Sequence, residues 1–178
     1  VAVEAGLQPI PGLSGDVKNV DQVKDFAHQY GYPIMVKAAN GGGGRGMRII
    51  NDDQQLTDEF DQAKDEALKA FGSDEMYVEK DVQHPKHIEV QVIADEHGHV
   101  IHLFERDCSV QRRHQKVIEC APSVVLTPER WVEVCGLAVK LMKSVHYQNA
   151  ATIEFLATPD QFYFIEVNPR VQVEHTVT

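Results

Sequence analysis

Two periodicities divide the chain. Up to about residue 82, apolar positions recur at helical spacing between short hydrophobic runs. Val20, Val23, Ala27 and Tyr30 predict one helix with Gly31 as its C-cap. Leu56, Phe60, Ala63, Ala67 and Ala70 predict a longer one behind the capping residue Asp52. Residues 33–37 and 47–50 read as strands around Asn40-Gly41-Gly42-Gly43-Gly44-Arg45-Gly46, and residues 76–82 as a further strand. From His87 onward a period of two takes over. Residues 87–94 and 99–106 flank Asp95-Glu96-His97-Gly98 as a hairpin. Thr127-Pro128-Glu129 starts a helix running to about residue 145. Residues 150–157 and 162–168 flank Thr158-Pro159-Asp160-Gln161 as a second hairpin. The shift in pattern near 82–85 predicts two lobes, 1–82 and 83–178.

The last stretch breaks the usual meaning of alternation. Glu166, Asn168, Arg170, Gln172 and Glu174 are polar, and Val167, Pro169, Val171 and Val173 lie between them. A solvated strand face needs no such mixture of acids, amides and a guanidinium, whereas a site holding a metal and an anion does. A straight strand would spread Glu166 to Glu174 over roughly 26 Å, too far to share one ligand. Pro169 removes a ladder donor, so the strand should end near Asn168 and the chain bend back as a loop.

Composition narrows the class. The chain has 178 residues, 43% hydrophobic and 25% charged, with a formal net charge of −10. That is globular composition, and the acidic balance argues against a nucleic-acid or anionic-membrane surface. No apolar run is long enough to span a membrane. Cys108, Cys120 and Cys135 are odd in number, show no CxxC spacing and read as buried thiols of a reducing compartment. The nine histidines form neither HxxxH nor HExxH. The ends look cut, so the chain is expected to be part of a larger protein.

The second hairpin carries a testable register. With an odd-numbered loop centred on Asp160, Glu154 lies opposite Glu166 and Thr152 opposite Asn168. Facing carboxylates repel without a cation, and Glu154, Glu166 and Asn168 then form an all-oxygen cluster suited to Mg²⁺ or Mn²⁺. With a two- or four-residue loop the two glutamates fall on opposite faces and are unrelated. Gly42, Gly43 and Gly44 offer unhindered N–H groups to phosphate oxygens, without the Lys-Ser/Thr of a P-loop. Lys37, just before them, can neutralise a polyphosphate. The alternative is a plain hairpin tip. Gln111-Arg112-Arg113-His114-Gln115-Lys116 is a basic patch that, read as one strand, puts Gln111, Arg113 and Gln115 on one face and Arg112, His114 and Lys116 on the other. It is either an exposed strand edge or an anion site with Arg170; it lacks the interleaved aromatics of an RNA surface.

Lys37-Ala38-Ala39-Asn40 with the four glycines, Glu105-Arg106-Asp107-Cys108-Ser109, Gln111 to Lys116, and Phe164-Ile165-Glu166-Val167-Asn168 with Arg170, Gln172 and Glu174 together resemble the biotin carboxylases. The resemblance runs from about Gly6 to Thr178. It implies an α+β ATP-grasp fold, with a small glycine-loop lid lobe and part of a larger antiparallel-sheet core lobe. His175-Thr176-Val177-Thr178 resembles the module found in pyruvate carboxylases; acyl-CoA carboxylases more often carry His-Pro-Val-Thr. Ala151 stands where the family usually has glycine.

The resemblance implies roles for matching positions. Lys37 and the glycines would hold ATP phosphates, with Glu79, Lys80 and Val82 near the adenine and His87, Gln111 and His114 as further nucleotide contacts. Glu154, Glu166 and Asn168 would hold magnesium. Lys116, Arg170, Gln172 and the Val173 backbone would bind bicarbonate, with Glu174 as its general base. Biotin would arrive on a carrier domain or protein, and a carboxyltransferase domain and an oligomeric parent are expected. The expected location is the cytoplasm, or the mitochondrial matrix in a eukaryote. Other readings are the carboxylase of an acyl-CoA carboxylase, another ATP-grasp ligase such as a carbamoyl-phosphate synthase, and a non-catalytic nucleotide-binding module.

Overall fold

A computed structural model describes residues 1–13, 17–41, 46–112 and 115–178. The chain forms two compact units, Ile10–Gln83 and Val1–Pro9 with His84–Thr178.

The unit Ile10–Gln83 contains α1 (Val20–Tyr30), β2 (Ile34–Ala38), β3 (Met47–Ile50), α2 (Asp53–Phe71) and β4 (Met76–Lys80). Its strands form an antiparallel sheet in the order β3-β2-β4. Val23, Phe26, Ile34, Val36, Leu56, Phe60, Met76 and Val78 are buried in its core. Asp52 caps α2, accepting from the N–H groups of Gln54 at 2.9 Å and Gln55 at 3.0 Å. Asp52→Ala should therefore lower stability by about 1 kcal/mol, read as a fall in the urea midpoint. Two helix-face expectations differ. Ala70 is exposed, and Phe71, one position on, packs against the core instead. Tyr30 is largely exposed at the end of α1, its ring 4.7 Å from that of Phe26. β4 ends at Lys80, two residues before the expected limit. Gly46 is required where the chain re-enters β3: its φ is +72°, and a Cβ would lie 2.8 Å from the Ala38 Cβ.

The second unit is built on a six-stranded sheet in the order β1-β9-β8-β5-β6-β7. These strands are β1 (Gln8–Pro9), β5 (Lys86–Ala94), β6 (Val100–Arg112), β7 (Gln115–Cys120), β8 (Asn149–Ala157) and β9 (Phe162–Asn168). β1 runs parallel to β9, and the other pairs are antiparallel. This places residues 1–9 apart from the rest of the expected 1–82 lobe, because Gln8 and Pro9 pair with Tyr163 and Phe164. The helix α3 (Pro128–Ser144) has Thr127 as its N-cap and Pro in its first turn. Its Val134, Cys135, Ala138, Leu141 and Met142 share a core with Ile88, Val90, Val92, Ala151, Ile153 and Phe155 of the sheet. Alternation then sends Glu89, Gln91, Thr152 and Glu154 to the opposite face.

The second hairpin reaches the expected pairing by another route. Its loop has four residues, with Ala157 paired to Phe162 and Phe155 to Phe164. Continued unchanged, that register would set Glu154 opposite Ile165. The register shifts by one between Glu154 and Phe155, so Glu154 pairs with Glu166 and Thr152 with Asn168. Ile165 is thus the extra residue of a β-bulge, and the bulge reverses parity along β9. Phe162 and Phe164 belong with the core before it, as does Val167 after it. The polar Glu166 and Asn168 turn to the other side.

The basic patch is not one strand. Gln111 of β6 pairs with Lys116 of β7, and Arg112 with Gln115. Gln111 and Lys116 therefore share a face, contrary to the alternation expected along a continuous strand.

Candidate functional site

Two polar rows cross the second sheet. Arg106 pairs with Glu89, Glu89 with Glu154, and Glu154 with Glu166, from β6 to β9. Beside them Gln91 pairs with Thr152, and Thr152 with Asn168. Glu89 and Glu154 are both buried and directly opposed, an unfavourable arrangement unless cations lie between them. His87 and Lys116 supply those cations. His87 Nε2 lies 2.6 Å from Glu154 Oε2 and 3.2 Å from Glu89 Oε1. Lys116 Nζ contacts Glu89 Oε1 closely and lies 3.2 Å from Glu154 Oε1 and 3.1 Å from Glu174 Oε1. The buried Arg106 contacts the other Glu89 oxygen, Oε2, through Nε at 2.9 Å and Nη2 at 2.8 Å.

These contacts set the charges. Burial alone would lower the His87 pKa, but hydrogen bonds to Glu154 and Glu89 carry it up to about 9. Burial would raise Glu89, but its bonds to His87 and Lys116 and the charges of Lys116 and Arg106 hold it at about 2. Lys116 is raised: its carboxylate partners outweigh its burial. Glu174 is lowered below the usual carboxylate range, since backbone hydrogen bonding and Lys116 outweigh burial.

Glu174 lies in a short 3-10 helix, Val173–Val177, that follows Pro169 and turns the tail back toward β7. With Lys116, Glu119 and Val173 it lines an open cleft of about 510 Å³. Gln172 is buried beneath, its Nε2 3.4 Å from Glu154 Oε1. Arg170 is exposed and donates to the Val171 carbonyl at 3.2 Å; among the described residues it contacts neither Lys116 nor Glu174. Gln111 Nε2 lies 3.1 Å from His87 Nδ1.

The donor set of β8 and β9 fits a hard divalent cation. Asn168 Nδ2 lies 2.7 Å from Glu154 Oε1 and 3.1 Å from Glu166 Oε1. Half a turn of the amide puts its oxygen in the same place, giving three oxygens of the kind Mg²⁺ takes. His87, Glu89 and Glu154 form another close cluster. There His87 Nε2 carries the hydrogen donated to Glu154 Oε2, so that ring nitrogen offers no lone pair to a metal.

In the other unit, Lys37 on β2 makes a close ion pair with Glu79 on β4. Lys80 Nζ donates to the carbonyls of Gly31 and Tyr32, each at 3.0 Å, and Val82 is half-buried. Gly42, Gly43, Gly44 and His114 lie outside the described residues. The reading from sequence missed Glu89, Arg106, Gln91 and Thr152 as members of the polar network. For Glu89, Gln91 and Thr152 the available signal was their placement between apolar neighbours on β5 and β8, which also describes any half-solvated strand; Arg106, between Glu105 and Asp107 on β6, lacked even that.

Comparison with known proteins defines the class. Residues 1–178 match the family described as Carbamoyl-phosphate synthase L chain, ATP binding domain, and the chain belongs to that family. The fold is the ATP-grasp fold of the biotin carboxylases, of α+β class: the chain matches the biotin carboxylase of Campylobacter jejuni, solved as a β,γ-ATP complex, with a TM-score of 0.89 and 47% identity. That match covers 99% of this chain and 40% of the other. The biotin carboxylase domain of Hydrogenobacter thermophilus 2-oxoglutarate carboxylase, solved as a dimer with MgADP, ADP and bicarbonate, matches with a TM-score of 0.87 and 47% identity, over 98% of this chain and 39% of that one. In sequence the chain is 56% identical over 177 residues to the pyruvate carboxylase of Staphylococcus aureus, covering 99% of itself and 15% of that relative's length. Among the described residues no helix is long and apolar enough to cross a membrane.

Proposed function

We propose that this protein takes part in ATP-dependent carboxylation of biotin by bicarbonate through carboxyphosphate, as the biotin carboxylase part of a pyruvate carboxylase. The observation that carries this reading is the Lys116–Glu174 pair, 3.1 Å apart on the wall of an open cleft. It sets a fixed cation beside an ionised carboxylate, the combination needed to hold a small anion and take its proton.

Bicarbonate is a poor nucleophile. In this reading the Lys116 ammonium, the Gln172 amide, Arg170 and the Val173 backbone hold it, and Glu174 takes its hydroxyl proton. The freed oxygen attacks the γ-phosphorus of ATP, the bond to the bridging oxygen breaks, and ADP leaves with that electron pair. Lys37, Gly42, Gly43 and Gly44 hold the phosphates. Glu79, Lys80, Val82, His87, Gln111 and His114 hold the remainder of the nucleotide. Magnesium, when bound by Glu154, Glu166 and Asn168, neutralises charge on the phosphoryl oxygens. The carboxyphosphate then breaks at its carbon–oxygen bond into CO₂ and phosphate, and biotin, on its carrier, gives up its N1 proton to the phosphate and captures the CO₂ at that nitrogen. The partners are therefore a biotinylated carrier domain and a carboxyltransferase domain, in a homo-oligomeric parent in the cytoplasm or, in a eukaryote, the mitochondrial matrix.

The test is ADP release by the complete polypeptide that carries this sequence, wild type beside Glu166→Gln. Stimulation by both bicarbonate and biotin is expected, with loss in the variant that excess Mg²⁺ restores in part. ATP binding with no stimulation by either would point to a different ligase or to a non-catalytic nucleotide-binding module.

A further inference from the structure

Arg106 lies beneath the cleft, fully buried, and is absent from the roles just given. Its guanidinium has five N–H donors and no acceptor. Besides Glu89, Nη1 donates to Gln91 Oε1 at 3.0 Å and Thr178 Oγ1 at 3.3 Å. Nη2 donates to Thr152 Oγ1 at 3.0 Å and Gln172 Oε1 at 2.8 Å. One planar group thus ties β5, β8 and the tail loop together.

The bond to Gln172 has a directional consequence. An amide presents an acceptor on one side and donors on the other, and a partner that can only donate fixes which is which. Arg106 holds the Gln172 oxygen, so the amide nitrogen points away from it, toward Glu154 Oε1. Gln172 can therefore offer a ligand only N–H groups. Through Glu89, Arg106 also affects Lys116: the guanidinium shares the charge of Glu89, whose other oxygen contacts Lys116, leaving that ammonium able to serve Glu174 and an incoming anion.

We propose that Arg106 is a positioning residue for the anion half of the site, setting the Gln172 amide as an obligate donor and fixing Lys116 through Glu89. This rests on the assignment of the Lys116–Glu174 cleft to bicarbonate. A lysine in its place keeps the charge but not the planar fork, and cannot hold Glu89, Thr152 and Gln172 together.

The experiment measures bicarbonate- and biotin-dependent ADP release by the complete polypeptide, wild type beside Arg106→Lys. The variant should raise the KM for bicarbonate about tenfold or more, the usual weight of a lost charge-assisted bond, with the KM for ATP unchanged. The effect should shrink to less than about twofold in a Gln172→Ala background, since coupled sites are not additive. Equal rises in both KM values, or full additivity with Gln172→Ala, would overturn the proposal and leave Arg106 a structural ion. If Arg106→Lys fails to fold, the near-isosteric Thr152→Val loosens the same guanidinium. It should raise the bicarbonate KM about threefold, within the range for one hydrogen bond, with ATP unaffected; no change in the bicarbonate KM overturns the proposal. A wild type that shows no bicarbonate dependence would instead remove the underlying site assignment.

Discussion

Glu174→Gln should lower bicarbonate-dependent ADP release by about 10²–10⁴-fold, the usual contribution of a general base, while ATP affinity stays as in the wild type. The split follows from placement. Glu174 is half-buried on the tail, its described ion pair is with Lys116, and it is not among the oxygens that Asn168 gathers on β8 and β9. The glutamine keeps the shape and a hydrogen-bond acceptor but cannot take a proton. Because Lys116 and backbone hydrogen bonding hold Glu174 below the usual carboxylate range, the wild-type carboxylate stays ionised throughout the neutral range. Nucleotide titration beside steady-state turnover separates the two effects. A fall in ATP affinity that matches the fall in rate would assign Glu174 to the nucleotide site instead.

Glu89→Leu should have the largest effect on stability, about 3–5 kcal/mol, because it leaves a fully buried guanidinium without its carboxylate. Glu89 Oε1 makes no aligned hydrogen bond, yet it lies against Lys116, and Oε2 takes two contacts from Arg106. The same group shapes the pH dependence. Its folded pKa of about 2 lies below the ordinary 4.5. Its contribution is therefore complete above about pH 4.5 and is lost as pH falls toward 2. His87, raised from 6.5 to about 9, contributes fully below pH 6.5 and loses its contribution as pH rises through 9. Urea midpoints across pH 3 to 9 should peak between those limits, and Glu89→Leu should flatten the acid side. An unchanged acid limb in the variant would show that other carboxylates govern it.

The sequence displayed the elements well wherever one face was apolar. α2 begins behind Asp52, α3 behind Thr127, and β9 ends at Asn168 before Pro169. The ligand types of the tail were legible because so mixed a set of polar side chains serves no solvated strand. Cross-strand partnership was not legible. Glu89 faces Arg106 only because the first hairpin shifts register between Val90 and Val92, near Phe104 with its φ of +68°. Without the shift Glu105 would face Glu89. A loop length read from sequence cannot reveal such a residue, so the ion pair that organises the site stayed hidden. The expected facing of Glu154 and Glu166 came from a loop length that does not occur, and Ile165 made up the difference.

The bulge at Ile165 gives β9 two reading frames. Phe162 and Phe164 are in the frame that anchors the hairpin to α3 and its core, and Glu166 and Asn168 are in the frame that serves the ligand face. Removing Ile165 would merge the frames and force a choice, either burying two polar side chains or lifting two phenylalanines into water. The single unpaired residue lets the anchor and the ligand set change in sequence independently, each free to vary without shifting the register of the other.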